Sequence, residues 1–349
     1  MNEKFQDRKQ ILKLSGSSYE IGFKHGEKAK EKVHTTLQTY EKMFHQYSNM
    51  SWKDSKEKAL LHLKAIEKYN SNYLEEMEGL AKGASVSFED ILAINARSEI
   101  ALITGPDGCT SFGLTNPKTS KTWLAQNWDW KGSQIDALVQ LDIEQEGFPS
   151  IQMITEAGII GKIGSNSEGI GVCLNALVTD AWEPKTPIHL GLRAVLESYS
   201  LKEAISKVDH NQMASAAHFL IASKSEETIG MEVSPVFTGK INSEKGVVTH
   251  TNHICSADLK EIILEDALSN SFTRLTTIDS LLEQLEGENI TKNDLFHILS
   301  NHDHFPDSIC RHSLPHQSGR QNIDTVFSIV MNLTDHELFW SEGRPCEQF

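Results

Sequence analysis

From residue 17 to about residue 103 apolar positions recur at helical spacing, and past Gly108 they alternate with polar ones. Ser17-Ser18-Tyr19-Glu20 reads as a capping box, with Ser17 at the N-cap and Glu20 reaching back. Val33, Leu37, Tyr40 and Phe44 follow at steps of four and three, which is one buried helical stripe. Gly22 and Gly26 fall one turn apart on one face of this helix. Each glycine costs about 1 kcal/mol against alanine inside a helix, so close packing is expected there. A second helix is expected over 52–69, capped by Ser51, with Leu60, Leu63 and Ile66 inward. A third ends at Gly83, read as its C′ glycine, and a fourth starts after Ser87 with Ile91, Leu92 and Ile94.

Beyond Gly108, Val139, Leu141 and Ile143 alternate with polar residues, as do Ile151, Met153 and Thr155. Apolar runs at 219–221 and 326–333 read as further buried strands, with helical stretches at 189–198, 201–208, 272–285 and 294–299. Strands, then helices, then strands make an α+β layered core and not a doubly wound sheet. No Pro/Gly linker separates the two patterns, so both halves are expected in one folded body.

Charge and cysteine usage narrow the function. A formal net charge of −15 over 349 residues disfavours nucleic acid, whose phosphates require clustered Lys and Arg, and disfavours an anionic membrane surface. A small-molecule partner is therefore the expectation. Residues 1–13 are polar and mixed in charge, unlike a secretory signal, and no segment has the apolar length of a membrane span. The expected compartment is the cytoplasm. Cys109, Cys173, Cys255, Cys310 and Cys346 are odd in number, far apart and without a Cys-x-x-Cys pair, which fits neither a disulfide framework nor a zinc ribbon.

The change of pattern contains Gly105-Pro106-Asp107-Gly108-Cys109-Thr110-Ser111-Phe112. Gly108 has no Cβ, so its carbonyl can be strained and closely approached. Attack of the Cys109 thiol on that carbonyl would give a thioester, and hydrolysis would leave Cys109 with a free α-amino group. Such an amine has a pKa of ~7.7–8.0, suited to accept a proton near neutrality. One residue then supplies both nucleophile and base. The alternative is a buried cysteine at a strand start. Gln126 to Trp130 ends an expected hairpin, 110–114 returning through 123–130, which would bring Asp129 beside Cys109.

With these segments the chain resembles the acyl-coenzyme A:6-aminopenicillanic acid acyltransferase (isopenicillin N acyltransferase-like) family of autoproteolytic N-terminal-nucleophile cysteine hydrolases. The likeness starts at Tyr19-Glu20-Ile21-Gly22-Phe23-Lys24-His25-Gly26 and Asn95-Ala96-Arg97-Ser98-Glu99. It continues through Asp107 to Thr110 and Gln126 to Trp130, and ends with Thr251-Asn252-His253 and Ser308-Ile309-Cys310-Arg311. The resemblance implies a four-layer αββα sandwich with a helical N-terminal segment. It implies cleavage between Gly108 and Cys109, leaving residues 1–108 bound to a catalytic 109–349. Cys109 would be the nucleophile and, through its amine, the base. Asp129 would hold the amine, Asn252 would donate to the oxyanion, and Arg311 would orient Asp129 or stabilise charge. Asn175 resembles a second polar residue near the oxyanion in related bile-salt and penicillin amidases, and Gln126 stands where those amidases carry Arg. The expected substrate is an N-acylated small molecule, with acyl-coenzyme A left open as a donor; no cofactor and no metal are expected.

Other readings compete. Asp129 as a turn cap, Asn252 as a backbone partner and Arg311 as a surface ion pair are the bland ones. His302, Asp303, His304, Asp307, Cys310, His312 and His316 are all metal-ligand types, but their spacing matches no familiar pattern. A conventional thiol hydrolase would use His250 or His253 as base. A binding protein on this fold would neither cleave nor catalyse. Gly-x-Ser-x-Gly and phosphate-loop patterns are absent.

Overall fold

The computed structural model describes residues 9–101, 108–116, 121–225, 227–267, 269–285, 289–317 and 322–349. Gly105, Pro106, Asp107 and Ile103, and residues 1–8 of the N-terminal stretch, lie outside them.

The N-terminal part opens with strand β1 (Ile11–Ser15) and continues in helices. These are α1 (Ser18–Lys28), α2 (Lys30–Ser48), α3 (Trp52–Leu60), α4 (Leu63–Asn70), α5 (Asn72–Ala84), α6 (Phe88–Asn95) and α7 (Arg97–Ala101). Capping boxes start α1 at Ser17, α3 at Ser51 and α6 at Ser87. The buried stripe Val33, Tyr40 and Phe44 lies on α2, which Ala29 separates from α1, so the two glycines and the stripe are on different helices. The expected helix over 52–69 is broken at Leu61–His62. The His62 ring reaches the Lys185 carbonyl at 2.7 Å and packs edge-on against Trp182. The break turns Leu60 outward, where it is 37% exposed, while Ile66 is fully buried. The left-handed residue ending α5 is Ser85 (φ 58°), not Gly83.

Gly83 has another role. A Cβ on Gly22 would lie 1.8 Å from the Glu76 carbonyl oxygen, and one on Gly83 2.2 Å from that of Phe23. Helices α1 and α5 thus touch backbone to backbone, and the close packing expected of the glycines is present.

The second part begins with β2 (Gly108–Asn116) and β3 (Lys121–Trp130), the expected hairpin, then β4 (Leu138–Glu144), β5 (Ile151–Glu156), β6 (Ile163–Asn166) and β7 (Ile170–Ala176). Helices α8 (Ile188–Leu196) and α9 (Leu201–Val208) lead to β8 (Ala217–Ser223), β9 (Thr228–Val233), β10 (Gly239–Asn242) and β11 (Val247–His250). Then come α10 (Ala257–Lys260), α11 (Ser269–Glu283), α12 (Lys292–Leu299), β12 (Asp324–Asn332), β13 (Glu337–Glu342) and a 3₁₀ turn, Pro345–Glu347.

The strands form two sheets, ordered β1-β4-β5-β6-β7-β8-β9-β10 and β11-β2-β3-β12-β13. All pairings are antiparallel except β1 with β4. The sheets stack, β2 and β3 against β7 and β8, while α2, α8 and α9 cover the larger sheet and α11 and α12 the smaller. This is an α+β fold of four layers, αββα. One core cluster joins Ile21, Tyr40 and Ile94 to Leu141, Met153 and Phe327 across the two parts of the chain. A second, with Phe112, Ile278 and Phe296, fills the space between the smaller sheet and its helices. No helix among the described residues is long and apolar enough to cross a membrane.

Candidate active site

Side chains alternate across a strand, and that alternation sorts the site. Cys109 pairs with Trp128 across β2 and β3, and both belong to the core between the sheets. Gly108 pairs with Asp129, which in turn pairs with Thr325 on β12. The Thr325 hydroxyl donates to Asp129 Oδ1 at 2.7 Å and accepts from the Arg311 amide at 2.9 Å. A Cβ on Gly108 would sit 2.9 Å from Arg311 Nη1 and 3.0 Å from Asp129 Oδ2. A buried carboxylate and a buried guanidinium therefore close on the Gly108 backbone, and a residue with a side chain would push them off. Arg311 Nη2 also holds Asp307 Oδ1 at 2.5 Å.

From the other side comes the segment after β11. Register places His250 opposite Ser111, so two further residues of antiparallel chain bring Asn252 level with Cys109. The Cys109 amide donates to Asn252 Oδ1 at 2.8 Å, and Asn252 Nδ2 donates to the Ala176 carbonyl at 3.1 Å. Ser271 at the start of α11 fixes the loop: its hydroxyl accepts from the Asn252 amide at 2.8 Å, and its carbonyl accepts from Thr251 Oγ1 at 2.9 Å.

One residue absent from the sequence reading joins this group. Arg274, 1% exposed, donates through Nη1 to the Cys109 carbonyl at 2.6 Å and to Thr110 Oγ1 at 3.1 Å. Its Nη2 donates to Asn252 Oδ1 at 2.8 Å. A signal was available, because Arg274 shares the buried stripe of α11 with Ser271, Ile278 and Leu282. A charged residue in such a stripe needs a partner.

Asn175 and Gln126 sit deeper between the sheets. Asn175 Oδ1 accepts from Ser111 Oγ at 2.6 Å and faces His218 Nδ1 at 3.0 Å, and its Nδ2 donates to the His250 carbonyl at 3.3 Å. Asn175 thus meets Ser111, the next inward residue after Cys109, together with His218 and the His250 carbonyl. Gln126 clamps the Leu174 peptide of the facing sheet, donating to its carbonyl and accepting from its amide at 2.9 Å.

The family-like segments outside this centre interlock behind Trp128. Asn95 holds the Gly158 carbonyl and the Ile160 amide at 2.8 and 3.0 Å, and His25 accepts from the Gly158 amide at 3.1 Å. Lys162 Nζ lies 3.6 Å from the Trp128 ring centroid and 2.7 Å from Glu156 Oε2. Arg97 stacks over Tyr40, Trp128 and Trp130. Burial opposes the charge on Glu156, but Arg97 and Lys162 outweigh it and hold the carboxyl down to about 2. The wall beside Cys109 is thus aromatic, backed by a buried and compensated ion cluster.

Of the two candidate histidine bases, His250 has both ring nitrogens engaged, with Glu232 at 2.9 Å and the Thr251 carbonyl at 2.8 Å. Burial works against protonating it, but contacts with Cys255 and Glu232 prevail and raise its pKa to about 9. His218, stacked on it at 3.6 Å, is pushed well below its usual value by burial and by the His250 charge. His253 Nδ1 bonds Ser271 Oγ at 2.8 Å, and burial followed by the His250 charge lowers its pKa to about 4. In the 302–316 segment, Asp303 bonds Asn301 and Asp307 bonds Arg311, while His302, Cys310 and His312 meet Cys346.

A family model and one relative point to the same family. A family model described as acyl-coenzyme A:6-aminopenicillanic acid acyl-transferase matches residues 115–345. The chain is 33% identical over 335 residues to the acyl-coenzyme A:6-aminopenicillanic-acid-acyltransferase 40 kDa form of Emericella nidulans, covering 95% of this chain and 91% of that protein. Among solved structures, a mutant conjugated bile acid hydrolase from Clostridium perfringens is similar at 14% identity and TM-score 0.48, covering 67% of this chain and 89% of that one. A penicillin V acylase from Agrobacterium tumefaciens is similar at 12% identity and TM-score 0.48, covering 67% and 83%. By the family match and the identity over nearly its whole length, the chain belongs to the acyl-coenzyme A:6-aminopenicillanic acid acyl-transferase family.

Proposed function

We propose that the chain cuts itself between Gly108 and Cys109 and then works as an N-terminal cysteine acyltransferase or amidohydrolase. The observation that carries this reading is the convergence of buried polar side chains on two adjacent residues, Gly108 and Cys109. Asn252 and Arg274 hold the Cys109 amide and carbonyl, while Asp129 and Arg311 close on Gly108. Four buried polar side chains around these two residues are costly unless they serve them.

In the self-cleavage step the Cys109 sulfur adds to the Gly108 carbonyl carbon. The C–N bond breaks, its nitrogen takes the proton, and a thioester remains. Water hydrolyses the thioester, restoring the thiol and leaving a Gly108 carboxylate. Residues 1–108 and 109–349 stay together as two chains.

The new α-amine then takes the thiol proton, and the thiolate adds to the carbonyl of an N-acylated small molecule. Asp129 and the Asn252 carboxamide oxygen hold the amine. Asn252 Nδ2, which in the uncut chain donates to Ala176, is the oxyanion donor; one such donor is worth roughly 2.7–4 kcal/mol. Arg311 steadies Asp129 through Thr325, and Asn175 positions the strand through Ser111 and the His250 carbonyl. The leaving amine takes the proton back, and water or an acceptor amine resolves the acyl-thioester. Acyl-coenzyme A is the alternative acyl donor, and no cofactor takes part.

Intact-mass analysis of the purified protein beside Cys109→Ala tests the reading. Two fragments splitting after Gly108 are expected in the first and one chain in the second. A wild-type chain that stays whole while turning over substrate refutes it.

A further inference from the structure

We propose that His302, Cys310, His312 and Cys346 form a structural zinc site that holds the Arg311 strap against the active centre. Their ligand atoms all lie within 4.8 Å of one another. Cys310 Sγ is 3.6 Å from Cys346 Sγ and 3.7 Å from His312 Nε2. Cys346 Sγ is 3.5 Å from His312 Nε2, and the two Nε2 atoms of His302 and His312 are 3.0 Å apart.

These spacings have a simple geometric meaning. A tetrahedral zinc with bonds of about 2.3 Å to sulfur and about 2.0–2.1 Å to nitrogen separates its donors by roughly 3.8 Å (S to S), 3.5 Å (S to N) and 3.3 Å (N to N). These four separations stand within a few tenths of an ångström of that arrangement, and the His302 ligand atom lies within 4.8 Å of both sulfurs. Two thiols and two imidazoles are a zinc donor set, and calcium or magnesium would require oxygen. With four protein ligands no position is left for substrate, so the site is structural.

The ligands come from three segments: the turn after α12, the strap at 310–312 and the C-terminal 3₁₀ turn Pro345–Glu347. Arg311 lies between two of them in sequence and points the other way, to Gly108 and Asp307. A metal on Cys310 and His312 fixes the backbone from which that guanidinium reaches. Next to it, Arg344 and Ser313 both bond Asp324, at 2.7 and 2.6 Å, so the C-terminal turn is already docked on the strap. Metal binding stands apart from the proposed self-cleavage, because it uses neither Cys109 nor its new amine.

The test is metal analysis of the untagged full-length protein after expression with zinc and extensive dialysis, beside His302→Ala and Cys346→Ser. His302 is exposed, so its removal leaves the fold packed. Stoichiometric zinc in the wild type and its loss in both variants is the expected result. Cobalt exchanged into the wild type should show the visible bands of a tetrahedral centre and a thiolate charge-transfer band, both missing in Cys346→Ser. Zinc retained in both variants, or no zinc and no cobalt spectrum in the wild type, overturns the site. So does a Cys310–Cys346 disulfide, seen as two missing thiols of the five on titration in denaturant.

Discussion

Replacing Gly22 by alanine sets two physical effects against each other. Helix propensity favours alanine inside a helix by about 1 kcal/mol, so α1 taken alone would be strengthened. In the folded chain the new methyl would stand 1.8 Å from the Glu76 carbonyl oxygen and 2.9 Å from the Leu80 nitrogen, where real contacts start at 3.0 Å. Neither obstacle is a side chain that can swing aside, so α1 and α5 must separate. Overpacking of this kind costs about 1–3 kcal/mol, and a gap opened along the rest of the interface forfeits dispersion contacts. Taking the upper end of that range and subtracting the propensity gain gives a net loss of about 2 kcal/mol. The assay is urea unfolding followed by tryptophan fluorescence, with Gly132→Ala as control, since its methyl would meet only Asp324 Oδ2 at an ordinary 3.4 Å. A lower midpoint for Gly22→Ala at an unchanged slope is expected. A Gly22→Ala protein as stable as wild type, or more so, would refute backbone contact between the helices. The effect should reach further, because Glu76 on α5 is the carboxylate that holds Arg193 of α8 at 3.0 Å.

Arg274→Lys should slow fragment formation about 10–100-fold, since one ammonium cannot span the Cys109 carbonyl and Asn252, and a lost charge-assisted hydrogen bond is worth about 1.5–3 kcal/mol. A mass-spectrometric time course checks it, and wild-type speed in a folded variant sinks the assigned role. His250 gives a pH prediction: its folded pKa of about 9 lies above the usual ~6.5, so its stabilisation is complete below ~6.5 and lost as pH rises through 9. The wild type should lose on the order of 3 kcal/mol over that window, and His250→Gln should flatten this limb in unfolding curves; coincident curves would count against a charged, Glu232-paired His250.

What could be read from the sequence was mostly local. Helix α9 spans Leu201–Val208 as its apolar spacing indicated, and the hairpin of β2 and β3 follows from its alternation and punctuation. Strand β1 escaped because five residues carrying two buried leucines, Leu12 and Leu14, give too short an alternation to stand out. The break at Leu61–His62 depends on the Lys185 carbonyl, which is remote in sequence. At the candidate site, the approach of Asp129 to the Gly108–Cys109 segment was legible because a strand register joins them. Arg274 was legible only as a charge in an apolar stripe, its partners being set by tertiary packing, and Cys346 reaches its cluster from an element placed the same way. The ligand types in 302–316 were visible, but the fourth comes from the far end of the chain.

The contacts that cross residue 108 bear on the order of events under the proposed self-cleavage. Strand β1 lies along β4, Arg97 is 3.6 Å from Glu156, Arg193 binds Glu76, and Tyr73 donates to Glu197 at 2.7 Å. Each tie has one end before residue 108 and the other after it. The two parts pack as one folded body, so the proposed cut between Gly108 and Cys109 would follow folding. After such a cut the linkage that brought the halves together would be gone. Regaining the native state would then be an encounter between two molecules, its rate set by concentration, and a protein folded as one chain would not refold as two on the same timescale.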